Sequence, residues 1–381
     1  MKKILVWLSW WVDSAVAAYI LKKKWYDVVA WFMKNYISDS WNCSTYQDAD
    51  EAIKVAKFLW IELLSFDLIK EYNEKIINYI YDGYQKWITP NPDVFCNNLI
   101  KFDVFLNKAL EMWFDGIATW HYARIVETNI ALFKGEVCKN IKTSISPSIR
   151  ETKRFHLMRG VDYNKDQSYF LSGLNQFQLS KSLFPIWDID KPQVRKIAKE
   201  IWLPNAERKD SQGLCFVWNI PIKTFLEQKL PHKKWKIINM EWKKTLATGR
   251  QVWEHDGAWF YTIWQRRGLN LLPDLYVSKI DVKKNIVYVW ARWSELLNQK
   301  IIYAKNRHWI ADEYKLPLEI QAKIRYRQEP KTAILMKNEN LKSKNNIELE
   351  FKEKQWAIAP WQIVVAYNGD ECLGNGIITS S

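Results

Sequence analysis

Three short stretches of this 381-residue chain place chemically capable residues at spacings that let them act together. The first is "SWWVDS" at 9–14, where Ser9, Asp13 and Ser14 follow a short apolar run and precede a helical pattern. A strand that turns into a helix presents backbone N–H groups and a positive dipole end, which together form an anion cradle. The two hydroxyls can add hydrogen bonds to a phosphate, and Asp13 can cap the helix or orient a metal. Trp10 and Trp11 oppose that use, because their indoles would occupy the phosphate space. The second stretch is "TPNPDVFCNNLIKF" at 89–102. Two prolines stiffen a loop that sets Asp93 and Cys96 on one face of a helix start, where the dipole lowers a thiol's pKa. Read alone, these residues equally describe a buried cysteine beside an N-cap aspartate. The third, "KDSQGLCFV" at 209–217, puts Cys215 after a polar loop; alone, it fits a core cysteine as well.

The elements that must hold these residues follow from hydrophobic period. Strand patterns at 4–8, 28–33, 63–66 and 116–119 alternate with helical patterns at 14–24, 52–59, 70–86 and 97–112. Such alternation predicts a parallel sheet covered by helices, with ligands at the carboxyl ends of its strands. Beyond about residue 206 the chain changes to short alternating runs such as "LYVSKIDVKKNIVYVW" and "LEIQAKIRYR". The expected architecture is an α/β domain over 1–205, a small central β-rich domain over 206–275 and a C-terminal β-barrel over 276–381.

Composition bounds the function. A net charge of +14, with basic clusters at 139–154, 233–244 and 323–344, favours a polyanionic partner. Five cysteines in no CxxC or zinc-ligand spacing argue for a reducing compartment and against a disulfide scaffold or metal site. No run of 18 apolar residues exists, so no membrane span is expected. The N-terminus imitates a signal peptide, but Asp13 interrupts the apolar-to-cleavage transition. A cytoplasmic protein is expected.

The alphabet itself is anomalous: 23 Trp against 12 Gly. Trp25, Trp60, Trp113 and Trp202 each end a helical pattern, at the C′ position where a left-handed backbone favours glycine. Such regular misplacement is expected if a codon written here as tryptophan is decoded as glycine. Residues 9–14 would then read S-G-G-V-D-S, the signature of the PP-loop ATP pyrophosphatases.

With that loop in place, the chain resembles the bacterial-type tRNA 2-thiouridylases, PP-loop enzymes of the adenine nucleotide α-hydrolase-like fold. The matching segments are "SWWVDS", "TPNPDVFCN", "ATWHYAR" (118–124), "KDQSYFL" (165–171), "KDSQGLCF", "YTIWQRRGL" (261–269), "IRYRQ" (324–328) and "APWQIVVAY" (359–367). They run in order along nearly the whole chain. The departures are almost all Trp for Gly, at Trp10, Trp11, Trp120, Trp264 and Trp361. The resemblance implies ATP-dependent 2-thiolation of a wobble uridine in tRNAs with Lys, Glu and Gln anticodons. In that scheme Cys215 carries a persulfide, Cys96 attacks it, and the two cysteines can close a disulfide, while Asp93 acts as acid/base. ATP, entering with Mg2+, would meet Val6, Trp7, Leu8, Ser9, Trp10, Trp11, Val12, Asp13, Ser14, Met33 and Trp120. The target base would lie against Asn91, Pro92 and Asp93. Inherited tRNA contacts would be His121, Lys165, Asp166, Gln167, Arg325, Tyr326 and Gln362. The implied partners are tRNA and a persulfide-donating sulfur carrier or cysteine desulfurase, acting on a monomer. Another PP-loop enzyme is an alternative, such as a 4-thiouridine synthetase or an amidating ligase; "TPNPDVFCN" with Cys215 tells against the ligases, which need no paired thiols. A non-catalytic RNA-binding remnant is the alternative if the loop indoles are genuine.

Overall fold

The computed structural model describes the chain except for residues 35–42, 87, 134–135, 138–148, 209–221, 241–249, 267–268, 270–273, 282, 292–297, 312, 338–344, 357 and 380–381. Its first sheet is built from β1 (Lys3–Trp7), β2 (Asp27–Lys34), β3 (Glu62–Asp67), β4 (Gly116–Ala118) and β8 (Ser182–Leu183), in the order β3-β2-β1-β4-β8. Every pairing is parallel, as expected of strands joined by helical crossovers. The apolar runs of β1 and β4 are buried because helices cover both faces. Helix α1 (Val12–Lys23) inserts Ala15, Val16, Ala17, Ala18 and Leu21 into one core, beside Val194 and Ala198 of the helix Lys191–Glu200. Helix α2 (Cys43–Leu59) adds Ala52, Val55, Ala56 and Leu59 to the same core.

The chain runs from β1 outward to β3, then returns to β4 on the other side of β1. The cleft above β1 and β4 is therefore the switch point, where open α/β sheets place ligands. The loop after β1 is "SWWVDS"; the loop after β4 is "TWH".

Four strands form the middle sheet, in the order β10-β9-β12-β11: β9 (Trp235–Asn239), β10 (Arg250–His255), β11 (Leu275–Asp281) and β12 (Ile286–Ala291). This sheet continues past residue 275, as far as Ala291. The C-terminal unit comprises β13 (Asn298–Trp309), β14 (Leu318–Lys323), β15 (Lys331–Lys337), β16 (Ile347–Trp356), β17 (Ile363–Asn368) and β18 (Glu371–Ile378). The β13–β18 pairing closes these six strands into a barrel, filled by Ile302, Ile320, Leu335, Leu349, Phe351 and Leu373. A long hairpin of β5 (Ala123–Phe133) and β7 (Ile149–Arg159), with β6 (Glu136–Val137) on its edge, leaves the first domain and pairs with β18. Local periodicity gave no sign of that long-range pairing.

Four helices end as the sequence predicted. Trp25, Trp60, Trp113 and Trp202 have φ of 60°, 52°, 62° and 59°. Each sits in a Schellman turn: Trp25 N–H donates to Lys22 O while Tyr26 N–H donates to Leu21 O, and the same pair of bonds recurs at the other three. Their side chains project into solvent, 81–90% exposed. Trp264 and Trp361 are also left-handed, at 75° and 71°. The other non-glycine residues with positive φ, among those described, are two asparagines, Asn285 and Asn306.

Candidate active site

The loop after β1 is organised by its two serines. Ser14 Oγ accepts from Ser9 N–H at 3.1 Å and lies 2.9 Å from Ser9 Oγ, Ser9 O and Trp11 O. Trp11 N–H donates to Ser9 Oγ at 3.3 Å, and Asn205 Nδ2 donates to Trp10 O at 3.0 Å. These contacts pin the turn that delivers α1's amino end to the switch point, the geometry expected of an anion cradle. Asp13, in the first turn of α1, accepts from Tyr122 Oη at 2.7 Å and from Lys191 Nζ at 2.7 Å on both oxygens. Lys191 and Tyr122 were not singled out in the sequence, since neither lies in a signature that marks the contact.

Indoles fill this place. Trp10 is buried against Phe32 and Trp11, with ring centroids 6.4 and 5.9 Å away. Trp7, at the carboxyl end of β1, meets Trp120, just past β4, at 6.3 Å. Val6, Leu8 and Val12 are buried beneath the loop, and Met33 is buried at the end of β2. Trp7 and Trp120 thus meet where β1 and β4 end, Trp10 and Trp11 stand in the loop beyond β1, and Met33 lies on the neighbouring β2.

The second stretch forms a helix over Pro92–Cys96. Asn91 caps it, accepting from Val94 N–H at 3.5 Å, and Pro92 supplies the fixed φ of a first helical turn. Asp93 is half-buried in that turn and Cys96 is buried a turn later. The helix continues as a π segment, Asn97–Val104, and then as the α-helix Phe105–Glu111. π geometry inside a helix is often found at functional sites.

The barrel holds this loop from the other side. Gln362 Nε2 donates to Thr89 O at 2.9 Å, and Asn91 Nδ2 donates to Gln362 Oε1 at 3.4 Å. Tyr326 packs on Phe170 at 4.2 Å, with its hydroxyl donating to Lys165 O at 3.5 Å. Asn97 Nδ2 donates to Phe170 O. Asn91 and Gln362 thus meet directly, and Lys165 and Tyr326 meet through the Tyr326 hydroxyl, while Gln167 is bound to Tyr122 and Arg325 lies over Trp356.

Several residues of the implied tRNA surface are engaged internally. Asp166 is buried, paired with Arg159 at 3.2 Å and Lys323 at 3.7 Å, and accepts from Gly160 N–H, Ser168 N–H and Ser168 Oγ. Gln167 Oε1 accepts from Tyr122 N–H at 3.1 Å. His121 is buried, its Nδ1 2.8 Å from Thr119 Oγ1 and its ring parallel to Trp120. Burial, then the nearby charge of Lys101, holds its pKa well below the usual histidine range, so the ring is neutral. Cys215 lies outside the described residues. Among the described residues no three His, Cys, Asp or Glu side chains cluster as a metal site.

Arg208, at the root of the segment carrying Cys215, donates to Asp48 Oδ1 at 3.1 Å and stacks over Trp11. Burial raises the Asp48 carboxyl from 3.8 to about 7 despite the guanidinium. The folded state thus holds this proton more tightly than the unfolded chain. Asp48 therefore contributes most to stability at acid pH, and that contribution is lost as pH rises from about 4 to about 7. Asp48→Asn, which keeps a neutral side chain throughout, is expected to gain Tm relative to the parent progressively from pH 5 to 7.5. A Tm difference that does not change with pH would contradict this.

A parallel sheet with a strand-to-helix turn at its switch point, joined to two β units, is the architecture that the HUP-domain family models describe. Family models match as a tRNA methyl transferase HUP domain over residues 2–219, a tRNA methyl transferase PRC-barrel domain over 223–291 and an aminomethyltransferase beta-barrel domain over 299–378. The chain belongs to the tRNA-specific 2-thiouridylase family. It is 38% identical to the tRNA-specific 2-thiouridylase MnmA of Flavobacterium johnsoniae over 100% of both chains. Identity to the MnmA of Karelsulcia muelleri is 37%, over 99% of each. Among the described residues, no helix is long and apolar enough to cross a membrane.

Proposed function

We propose that this chain uses ATP to convert the wobble uridine of tRNA to 2-thiouridine. The observation that carries the proposal is the barrel's Gln362 bound to Thr89 and Asn91, which ties the loop that leads to Cys96 to the barrel. The residues support the following sequence of events. A uridine C2 oxygen is a poor leaving group, so it attacks the α-phosphorus of ATP and pyrophosphate departs. Backbone N–H groups of the loop, with Ser9 and Ser14, hold the phosphates, and Asp13 would hold a Mg2+ ion that neutralises their charge. The terminal sulfur of a Cys215 persulfide then attacks C2 and AMP leaves. Cys96 thiolate attacks the Cys215 sulfur, forming a Cys96–Cys215 disulfide and releasing the thiolated base. In the other order, Cys96 first frees hydrosulfide, which attacks C2. Asp93 moves the proton in either order. A thiol reductant must reopen the disulfide before the next turnover, in keeping with the cytoplasm. The substrates are tRNAs with Lys, Glu and Gln anticodons; a sulfur carrier or cysteine desulfurase charges Cys215, and the chain acts as a monomer. The basic surface grips the folded RNA through phosphates while the target base is flipped into the cleft.

The test is formation of 2-thiouridine from tRNA, ATP and a persulfide donor, read by nucleoside mass spectrometry. Cys215→Ser is expected to abolish the product; full activity in that variant would refute the relay.

This function requires glycine at positions 10 and 11. We infer that glycine occupies these and the other tryptophan positions described above in the protein as made. The six left-handed tryptophans support this, since that conformation favours glycine, and asparagine next, over an aromatic side chain. The second reading, a non-catalytic RNA-binding protein, is favoured only by genuine indoles in the cleft.

A further inference from the structure

Lys101 is a lysine that the scheme above does not use. It sits five residues after Cys96 in the π segment, and it is only 5% exposed. What distinguishes it from a solvated helix lysine is where its ammonium lies. Its Nζ lies 5.8 Å from the Trp7 ring centre and 5.3 Å from that of Trp120. Those two positions border the switch point on β1 and β4, and both belong to the loops assigned to ATP. Its charge also reaches the buried, neutral His121. With glycine in place of the Trp120 indole, the space on that side of the ammonium opens onto the switch-point cleft.

We propose that Lys101 is a catalytic residue of the adenylation step, placing its ammonium on the α-phosphate oxygens as the uridine C2 oxygen attacks. This rests on the reading that the β1–β4 cleft takes ATP. In that step a bond forms between the uridine C2 oxygen and the α-phosphorus. The bond from the α-phosphorus to the bridging oxygen breaks, and pyrophosphate leaves with the electron pair. Negative charge on the phosphoryl oxygens is held by a preorganised cation in a water-poor site, the arrangement with the largest effect on such steps. The same helix then carries both the cation for activation and the thiol for sulfur release, about one turn of the π segment apart. A single backbone segment thus aligns the two half-reactions on one base.

The experiment uses the full-length chain with glycine at the recoded positions, as Lys101→Met and Lys101→Arg. Pyrophosphate release is followed with tRNA but no sulfur donor, alongside ATP affinity and Tm. Lys101→Met is expected to slow release about 100- to 1,000-fold, with ATP Kd changed less than about tenfold. Lys101→Arg, which keeps the charge, is expected to recover at least about a tenth of the parent rate. Release by Lys101→Met within about threefold of the parent overturns the assignment while leaving the ATP site intact. A loss shared equally by Lys101→Arg and accompanied by a collapsed Tm also overturns it, as a structural role. A parent chain that releases no pyrophosphate overturns both this inference and the ATP reading beneath it.

Discussion

Protein purified from cells that express its own gene will weigh less than the written chain by about 129 Da for every indole that is glycine in the polypeptide. The expected positions include 10, 11, 25, 60, 113, 120, 202, 264 and 361. A left-handed backbone costs a side-chain-bearing residue about 1–2 kcal/mol. Six tryptophans carry that conformation, so their combined strain approaches the whole stability of an ordinary domain, about 5–15 kcal/mol. Nothing offsets it at Trp25, Trp60, Trp113 and Trp202, whose indoles stand in solvent. The functional counterpart is equally large. A chain made with indoles at 10 and 11 is expected to bind ATP at least about 100-fold more weakly than Trp10→Gly/Trp11→Gly, because rings in the cradle exclude the phosphates whose N–H contacts supply the affinity. A native mass equal to that of the written chain, or equal ATP affinities, would sink the glycine assignment.

Cys96→Ser will separate activation from sulfur transfer. The variant is expected to release pyrophosphate in the presence of tRNA, since the phosphate loop and cleft are untouched. It should form 2-thiouridine more than about 1,000-fold more slowly, the scale on which losing an unreplaced nucleophile is felt. The effect is large because among the described residues the other buried cysteine, Cys372, lies away in the barrel strand β18 against Ser168 O. Burial and the nearby Asp166 carboxylate push the Cys372 thiol well above the usual range, leaving it an inert thiol. Thiolation by Cys96→Ser at the parental rate would remove Cys96 from the relay.

What was legible in the sequence was what local chemistry decides. The strands and helices of the first domain followed from periodicity, and the four C′ positions followed from a helix needing a residue that tolerates a left-handed turn. The loop "SWWVDS" could be placed because its serines and aspartate kept their spacing. What was not legible depends on partners distant in the chain. Asp166 was taken for an RNA contact, yet its carboxylate closes on Arg159 and Lys323; no local signal marks an ion pair spanning the barrel junction. Gln362 likewise holds Thr89 across the molecule. Helix 70–86 was expected to be continuous but passes through a π segment, Asn73–Ile77, between Ile69–Tyr72 and Asn78–Gln85. Lys101 escaped notice because a lysine in a helical pattern reads as a solvated face until its burial is seen.

The hairpin that leaves the first domain to pair with β18 makes the molecule a fixed-span caliper. Its strands continue the barrel's own ladder, through Glu371–Met158 and Cys372–Leu157 and the bond from Arg159 N–H to Asp370 O. The distance from the barrel to the sheet's carboxyl edge is therefore set by backbone hydrogen bonds, which stretch little, instead of by a linker. The barrel and the parallel sheet are thereby held at one separation, as two ends of a single hydrogen-bonded frame.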